Sequence, residues 1–317
     1  MNNDLPQLSM GLTTYAAEDP GGWGHVLERA QLYDRAGVDR LVVSDHVVYG
    51  ENLEAYSRPE LGGAEGGRQP TGPDGCWLEP MTTLTAISSI TSRVRLGTNI
   101  LLAALRRPVV LAKTAATLDV LSGGRLDLGV GVGWQREEYE AAGLDFSRRG
   151  RLLDHTLAVC QTLWREQRAS FDGDGLQFDA IHQMPKPAQP GGVPIWVSGR
   201  VNASVARRLA RFGSAWIPWG EDAADVESSI PRMREAVAAA GGDAESFGVV
   251  GTLRVVKTGD GAVDVDATVA AAPALAAAGV TDMRCMLPLR EDPAAFEAAL
   301  HDLVAAFRDA VGRERPT

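Results

Sequence analysis

The chain carries the stretch GRLDLGVGVGWQREEYEAAG at residues 124–143, and its glycines decide how the fold is interpreted. A dinucleotide-binding loop has the spacing G-x-G-x-x-G at the first strand-to-helix turn, with an acidic residue about 20 positions later. Here Gly129, Gly131 and Gly133 alternate on the fourth predicted strand, and an Arg-rich helix start lies near position 150. We therefore exclude a Rossmann-type loop. The pattern favours a strand end whose bare backbone lies against a flat ligand, over small residues packed inside a barrel.

Short β-rich runs alternate with longer amphipathic runs along the 317 residues, which is typical of a parallel sheet with helical crossovers. Eight strands and eight helices predict an α/β fold, a (β/α)8 TIM barrel forming one domain over residues 1–317. Left-handed helix caps are expected at Gly37, Gly213 and Gly279. The strands are predicted at 8–14, 40–44, 95–101, 126–130, 194–197, 215–218, 249–256 and 282–287. The helices are predicted at 23–36, 80–91, 108–121, 148–165, 203–212, 226–240, 267–278 and 294–311.

Two insertions interrupt the repeat, one after strand 2 and one after helix 4. Residues 50–75 are rich in Gly and Pro and follow strand 2 at the end of a barrel where active-site loops lie, so they are either a substrate lid or a disordered ornament. Residues 169–190 contain FDGDGLQFD, which predicts a hairpin around a Gly-rich turn.

Composition narrows the classes of partner and compartment. A net charge of −10 argues against nucleic acid and anionic membranes, and favours a small-molecule substrate. The three cysteines form no C-x-x-C, and no apolar run is long enough to span a membrane, so a cytoplasmic location is expected. The five histidines show no H-x-H or H-E-x-x-H spacing, so we expect no metal centre, which weakens the alternative of a hydrolase on the same barrel.

Three blocks of sequence carry a family resemblance: SDH at 44–46, the run from SRVRLGTNI through GVGVGW to EEYEAAGLDFSRRGRLLDH at 92–155, and PIWVSGRVNASVARRLARFGSAWIPW at 194–219. They resemble the luciferase-like monooxygenase superfamily, and most of all its F420-dependent oxidoreductases. The resemblance implies F420, with FMN as the alternative cofactor, and hydride transfer to or from a small organic substrate. The alternatives are an FMN-dependent monooxygenase fed by a separate flavin reductase, and a non-catalytic flavin-binding barrel. The resemblance also implies a homo-oligomer, commonly a homodimer, and is compatible with an F420 reductase as partner.

The resemblance assigns roles to the ends of strands 2 and 3. Asp45 would contact the cofactor ring and His46 would transfer a proton, a role that suits a side chain whose charge changes near neutral pH. Thr98, Asn99 and Ile100 would form a bulge behind the ring, with a cis peptide bond between Asn99 and Ile100. The alternatives are an Asp-His pair that only satisfies a strand end, and an ordinary buried strand.

Strand 4 is implied to border the cofactor through Gly131, Gly133 and Trp134. The chain departs here from the F420-dependent sugar-phosphate dehydrogenases, because Trp134 stands where those enzymes have a Glu proton donor and Gly50 replaces their active-site Trp. Glu137 and Glu138 are interpreted as acids at the start of a helix rather than as paired catalytic carboxylates. Five aromatic residues suggest an aromatic-lined pocket: Tyr49, Tyr56, Trp77, Trp134 and Trp219.

The segment Ser198, Gly199 and Arg200 lies between strand 5 and a helix that starts near residue 203. Free N–H groups at a helix start, a hydroxyl and a guanidinium together suit a phosphate. The resemblance places the cofactor phosphate here, and the alternative for Arg200 is a solvated surface charge.

Overall fold

Eight parallel strands close into a barrel in the computed structural model, which describes residues 5–173, 175–288 and 293–314. Each strand pairs with the next one along the chain, and the last returns to the first through the pair Gln7 and Asp282. The predicted (β/α)8 barrel is confirmed. The strands are β1 (Gln7–Gly11), β2 (Arg40–Val43), β3 (Arg95–Thr98), β4 (Leu126–Val130), β5 (Ile195–Gly199), β6 (Gly213–Pro218), β7 (Gly248–Thr252) and β8 (Asp282–Cys285).

Helices surround the barrel close to the predicted positions. One predicted helix, 267–278, is instead two, because Pro273 lacks an N–H and stands in the first turn of the second one. The helices are α1 (Gly24–Ala36), α2 (Pro80–Ser88), α3 (Pro108–Leu121), α4 (Arg136–Ala141), α5 (Arg149–Arg165), α6 (Ala203–Phe212), α7 (Glu221–Ala224), α8 (Val226–Ala239), α9 (Val265–Val269), α10 (Ala272–Ala277) and α11 (Pro293–Ala310).

The predicted glycine caps are confirmed at two of three positions. Gly37 and Gly279 adopt φ values of 81° and 100°, in the left-handed region that favours glycine. The prediction for Gly213 is wrong, because this residue is extended (φ −84°) and is itself the first residue of β6. A Cβ at Gly213 would overlap the side chain of Leu209, so the position serves the tight passage from α6 into β6.

The N-terminal end of the barrel is closed by buried charges. Arg40 donates to Asp127 at 2.8 Å and also pairs with Asp282, while its guanidinium lies 4.1 Å from the Trp196 ring centroid. Burial raises the pKa of Asp127, but Arg40 and Arg95 together lower it by a larger amount, so the net shift is downward. Burial dominates at Asp282, whose pKa is raised despite Arg40. This layer fills one end of the barrel and leaves the C-terminal end open for a site.

Both insertions lie where the sequence placed them. Residues 50–75 contain two 3-10 helices, Leu53–Ser57 and Pro59–Leu61, and the indole N–H of Trp219 donates to the carbonyls of Gly62 and Gly63, each at 3.0 Å. The segment therefore lies over the C-terminal mouth, the position expected of a lid.

The predicted hairpin is also confirmed, with antiparallel strands Ala169–Gly173 and Leu176–Ile181, although Asp174 in its turn lies outside the described residues. Within the described part of the chain, no helix combines the length and apolar character needed to cross a membrane.

Candidate functional site

A cavity of about 640 Å³ occupies the C-terminal mouth of the barrel, beneath residues 50–75. Thr98 is the one predicted site residue that does not line it. Its hydroxyl donates to the Gly129 carbonyl at 2.7 Å, so this side chain joins β3 to β4 instead of facing a ligand. The predicted site residues that line the cavity are Asp45, His46, Asn99, Ile100, Gly131, Gly133, Trp134, Ser198, Gly199 and Arg200.

The alternating glycines of β4 and its loop face the neighbouring strand β3 and the segment that follows it. A Cβ at Gly129 would overlap the carbonyl oxygen of Thr98; at Gly131 it would lie 2.6 Å from Cδ1 of Ile100, and at Gly133 2.7 Å from Cδ2 of Leu102. Gly129 does not line the cavity. The expectation that all three lie bare against a ligand is therefore wrong for Gly129, where the missing Cβ lets two strands approach closely.

The predicted cis peptide bond between Asn99 and Ile100 is present, immediately after β3 ends. The Asn99 N–H donates to the Val43 carbonyl at 2.7 Å, and the Leu101 N–H donates to the Gly129 carbonyl at 2.7 Å. These two bonds hold the bulge between β2 and β4, so that Asn99 and Ile100 form one wall of the cavity.

The carboxylate of Asp45 is turned into the protein. Its side chain is only 1% exposed, it pairs with Arg106 at 2.6 and 3.0 Å, and it accepts the Leu102 N–H at 2.8 Å. Burial lowers the pKa of Arg106, but Asp45 and Glu79 together raise it by a larger amount, so the net shift is upward. Asp45 therefore positions the segment after the cis bond, whereas the sequence had suggested a ring contact for it and had not identified Arg106.

His46 is held by an acid that the sequence analysis assigned only to a helix start. Its Nδ1 lies 3.3 Å from Oε1 of Glu138, an ion-pair distance without the alignment of a hydrogen bond. The same Oε1 accepts the Val47 N–H at 2.9 Å, and the Glu138 side chain is 1% exposed. Glu138 does lie in the first turn of α4 as predicted.

Aromatic rings surround His46 and continue up to the lid. The imidazole centroid lies 4.4 Å from Tyr49, 4.8 Å from Trp77 and 5.9 Å from Trp134. Tyr56 of the lid lies 5.3 Å from Trp134 and 6.1 Å from Trp219. The predicted aromatic-lined pocket is confirmed with four of its five residues, since Tyr49 packs behind His46 rather than lining the cavity.

The predicted phosphate segment lies at one edge of the cavity. Gly199 has φ +152°, and a Cβ there would lie 2.6 Å from Cγ2 of Val205. The side chain of Asn202 accepts the N–H groups of Ser204 and Val205, each at 3.0 Å, so part of the α6 N-terminus is already capped. Arg200 pairs with Glu221 at 2.8 Å and is 41% exposed.

Arg284 of β8 also lines the cavity, and no feature of the sequence singled it out. No group of three or more His, Cys, Asp or Glu side chains is placed to hold a metal ion within the ranges that the structure describes.

Comparisons with known proteins agree with this architecture. The chain is 36% identical to an uncharacterized protein of Mycobacterium tuberculosis over 166 residues, which are 52% of this chain and 58% of that protein. The match thus spans little more than half of that relative.

The solved structures that share the fold include two ligand complexes. One is an F420-dependent secondary alcohol dehydrogenase in complex with an F420-acetone adduct (TM-score 0.75, 17% identity, 96% of this chain and 100% of that one). The other is the oxygenating constituent of 3,6-diketocamphane monooxygenase of Pseudomonas putida in complex with FMN (TM-score 0.70, 15% identity, 98% and 100%). The model of the luciferase-like monooxygenase family matches residues 5–302, and the chain therefore belongs to that family.

Proposed function

We propose that the protein binds coenzyme F420 at the barrel mouth and catalyses hydride transfer to or from a small organic substrate. The observation that carries this proposal is the pair of His46 and Glu138 in an aromatic, lid-covered cavity. Hydride transfer to a carbonyl must be accompanied by proton transfer, and a positioned histidine supplies a group that exchanges protons near neutral pH.

The residues present fit a flat ring cofactor. One wall is built from the backbone around Asn99 and Ile100 and from Gly131 and Gly133, so a ring can approach the main chain without meeting long side chains. The edge at Ser198 to Arg200 would receive the polar tail of the cofactor. F420 supplies a deazaflavin ring that carries hydride and reacts poorly with oxygen.

The protein's own contribution is proton transfer and water exclusion. With Nδ1 facing Glu138, the other nitrogen of His46, Nε2, is the one that can exchange a proton with a substrate. The buried Glu138 side chain faces Nδ1 and orients the ring, as the orienting acid does in other catalytic pairs. Trp134, Trp77 and the lid limit water around this pair, which strengthens electrostatic interactions inside the cavity.

An FMN-dependent monooxygenase is the second candidate. The apolar, covered cavity favours it, because a closed site protects reactive oxygen chemistry from water, and a protein of the same fold has been solved with FMN. This function would need a separate flavin reductase as partner. We also propose a homo-oligomeric state, which size-exclusion chromatography with light scattering would measure.

Cofactor binding tests the proposal first. Trp77, Trp134 and Trp219 line the cavity, so a bound ring would quench tryptophan fluorescence. We expect F420 to bind and FMN to bind at least tenfold more weakly; the reverse order would establish the second candidate. A folded protein that binds neither cofactor contradicts both. Replacing Gly131 with Leu should abolish binding by displacing Ile100 from the cavity wall, whereas the control Gly24→Ala, where a Cβ meets nothing within 4 Å, should bind as the unchanged chain does.

A further inference from the structure

The guanidinium of Arg284 lies in the cavity wall. It lies on β8 in register with Thr252 of β7 and Ser9 of β1, and it is partly buried. The part of the chain that the structure describes offers it neither a hydrogen bond nor a salt bridge. The carboxylate two positions earlier on its strand, Asp282, is close enough to favour the charge of Arg284 but forms no salt bridge with it. Arg40 and Ser9 engage only Oδ2 of Asp282, and its Oδ1 has no hydrogen-bond partner.

The other arginines at the cavity differ in this respect. Arg200 pairs with Glu221, Arg208 pairs with Asp154 at 2.6 Å, and Arg149 donates to a backbone carbonyl at 3.2 Å. Burial lowers the pKa of Arg284, although a guanidinium remains protonated in proteins. A buried charge is costly unless it is paired, so Arg284 is a residue whose partner should come from outside the chain.

Tyr56 provides a second polar group that lines the same cavity as Arg284. Burial raises the pKa of its phenol, and the charge of Arg284 is close enough to act against that rise. The hydroxyl of Tyr56 has no hydrogen-bond partner among the residues described. A guanidinium fork and a phenolic donor together form a set that binds an oxyanion.

The position of Arg284 separates it from the wall proposed for the cofactor. In the closed order β1 to β8, the strand β8 lies four strands away from β4, on the opposite side of the barrel. The bulge at Asn99 and Ile100 and the glycines of the β4 loop are thus across the cavity from Arg284. The space between holds Tyr15, Trp77 and the lid aromatics, which suit an apolar body.

Resting on the proposed function, we propose that Arg284 and Tyr56 bind the carboxylate of the substrate, which makes the substrate class hydrophobic or aromatic carboxylic acids. The one guanidinium charge of Arg284 matches a monoanion, whereas a phosphate dianion would leave one negative charge uncompensated at this residue. Arg284 is then the residue that selects the substrate, and His46 is the residue that serves its reacting end.

Paired probes test this assignment. We would measure binding of 3-phenylpropanoate and of its neutral analogue 3-phenylpropanamide by calorimetry, to the protein alone and to the protein saturated with F420 or FMN. The unchanged chain should bind the carboxylate about tenfold or more tightly than the amide, since hydrogen bonds to charged groups contribute about that factor. Arg284→Met should remove the preference and leave amide binding unchanged, and Tyr56→Phe should reduce it several-fold. The matched control Arg254→Met removes an exposed arginine outside the cavity and should change nothing.

The outcomes separate this inference from the proposed function. Equal affinity for both probes, or a carboxylate preference that survives in Arg284→Met, would overturn the inference. So would a loss of F420 or FMN affinity in Arg284→Met with the carboxylate preference intact, because Arg284 would then serve the ring. A preference that depends on Arg284 in a protein that binds neither cofactor would support the anion site while contradicting the proposed function. If Arg284→Met does not fold, Arg284→Lys, which keeps the charge and loses the fork, should retain only part of the preference.

Discussion

Replacing Gly129 with Ala should destabilise the barrel without acting on the cavity directly. The new Cβ would overlap the carbonyl oxygen of Thr98 and lie 3.1 Å from its carbon and 3.2 Å from Cδ1 of Ile217. The Thr98 carbonyl belongs to backbone, and the hydroxyl of Thr98 and the N–H of Leu101 both donate to the Gly129 carbonyl at 2.7 Å, so neither strand can move alone. Overpacking of this kind costs about 1–3 kcal/mol, and the rigid obstacle places Gly129→Ala at the upper end, about 3 kcal/mol.

Thermal unfolding followed by circular dichroism measures this effect. For a domain of 317 residues, about 3 kcal/mol corresponds to a fall in Tm of roughly 4–5 °C. The Tm of Gly131→Ala should fall much less, because the new Cβ meets the flexible end of the Ile100 side chain. This substitution should nevertheless weaken cofactor binding, because it moves the cavity wall. Gly24→Ala is the control and should be neutral or stabilised by about 0.4–1 kcal/mol. An unchanged Tm for Gly129→Ala would refute the interpretation of this glycine as a close approach between strands.

Three further changes have defined outcomes. Glu138→Gln should lower kcat at least tenfold with cofactor affinity retained, because the charge facing Nδ1 of His46 is lost while the fold is kept. Steady-state kinetics measure kcat and fluorescence titration measures the affinity. An unchanged kcat would contradict the pairing of His46 with Glu138. Trp219→Phe should speed proteolysis within residues 50–75, because the bonds to Gly62 and Gly63 are lost, and equal cleavage rates would show that these bonds do not hold the lid. Burial raises the pKa of Asp34, but the hydrogen bonds from the backbone N–H groups of residues 92–94 lower it by a larger amount, so the net shift is downward. The stability that this carboxylate contributes is therefore present above its ordinary pKa of 3.8 and lost as the pH falls through the lowered value. Urea unfolding of Asp34→Asn should show a loss of about 1–3 kcal/mol at pH 7 that shrinks towards pH 3, and a constant difference would contradict this assignment.

The barrel could be predicted from sequence because its signals are local. β4 and α3 begin and end where the alternation of apolar residues indicates, since strand and helix periodicity need only neighbouring residues. The errors also have local physical causes. Pro273 divides a helix that the apolar pattern alone joins, and Gly213 enters a strand directly where a cap was expected.

The candidate site was predictable only in part, because its chemistry depends on pairs far apart in the chain. Asp45 and Arg106 are 61 residues apart, and the Glu138 carboxylate reaches the Val47 amide across 91 residues. A single sequence without homologues gives the residue types at strand ends but not which side chain faces which. Asp45 and His46 were therefore located correctly, while the direction of the Asp45 carboxylate, the partner of His46 and the partly buried guanidinium of Arg284 were found only in the structure.

The alternating glycines connect the fold to the site through one geometric requirement. The positions that a Cβ would occupy at Gly129, Gly131 and Gly133 are filled in turn by Thr98, Ile100 and Leu102, which alternate along β3 and its extension. Because glycine has no Cβ at these three positions, the extension of β3 can lie close against the β4 loop. The Asp45 carboxylate fixes it there by accepting the Leu102 N–H. Asn99 and Ile100 are carried into the cavity wall as a consequence. The glycines thus act on the ligand side mainly through the neighbouring strand, so a substitution at any of them should be analysed first for the position of residues 98–102 and only then for contact with a ligand.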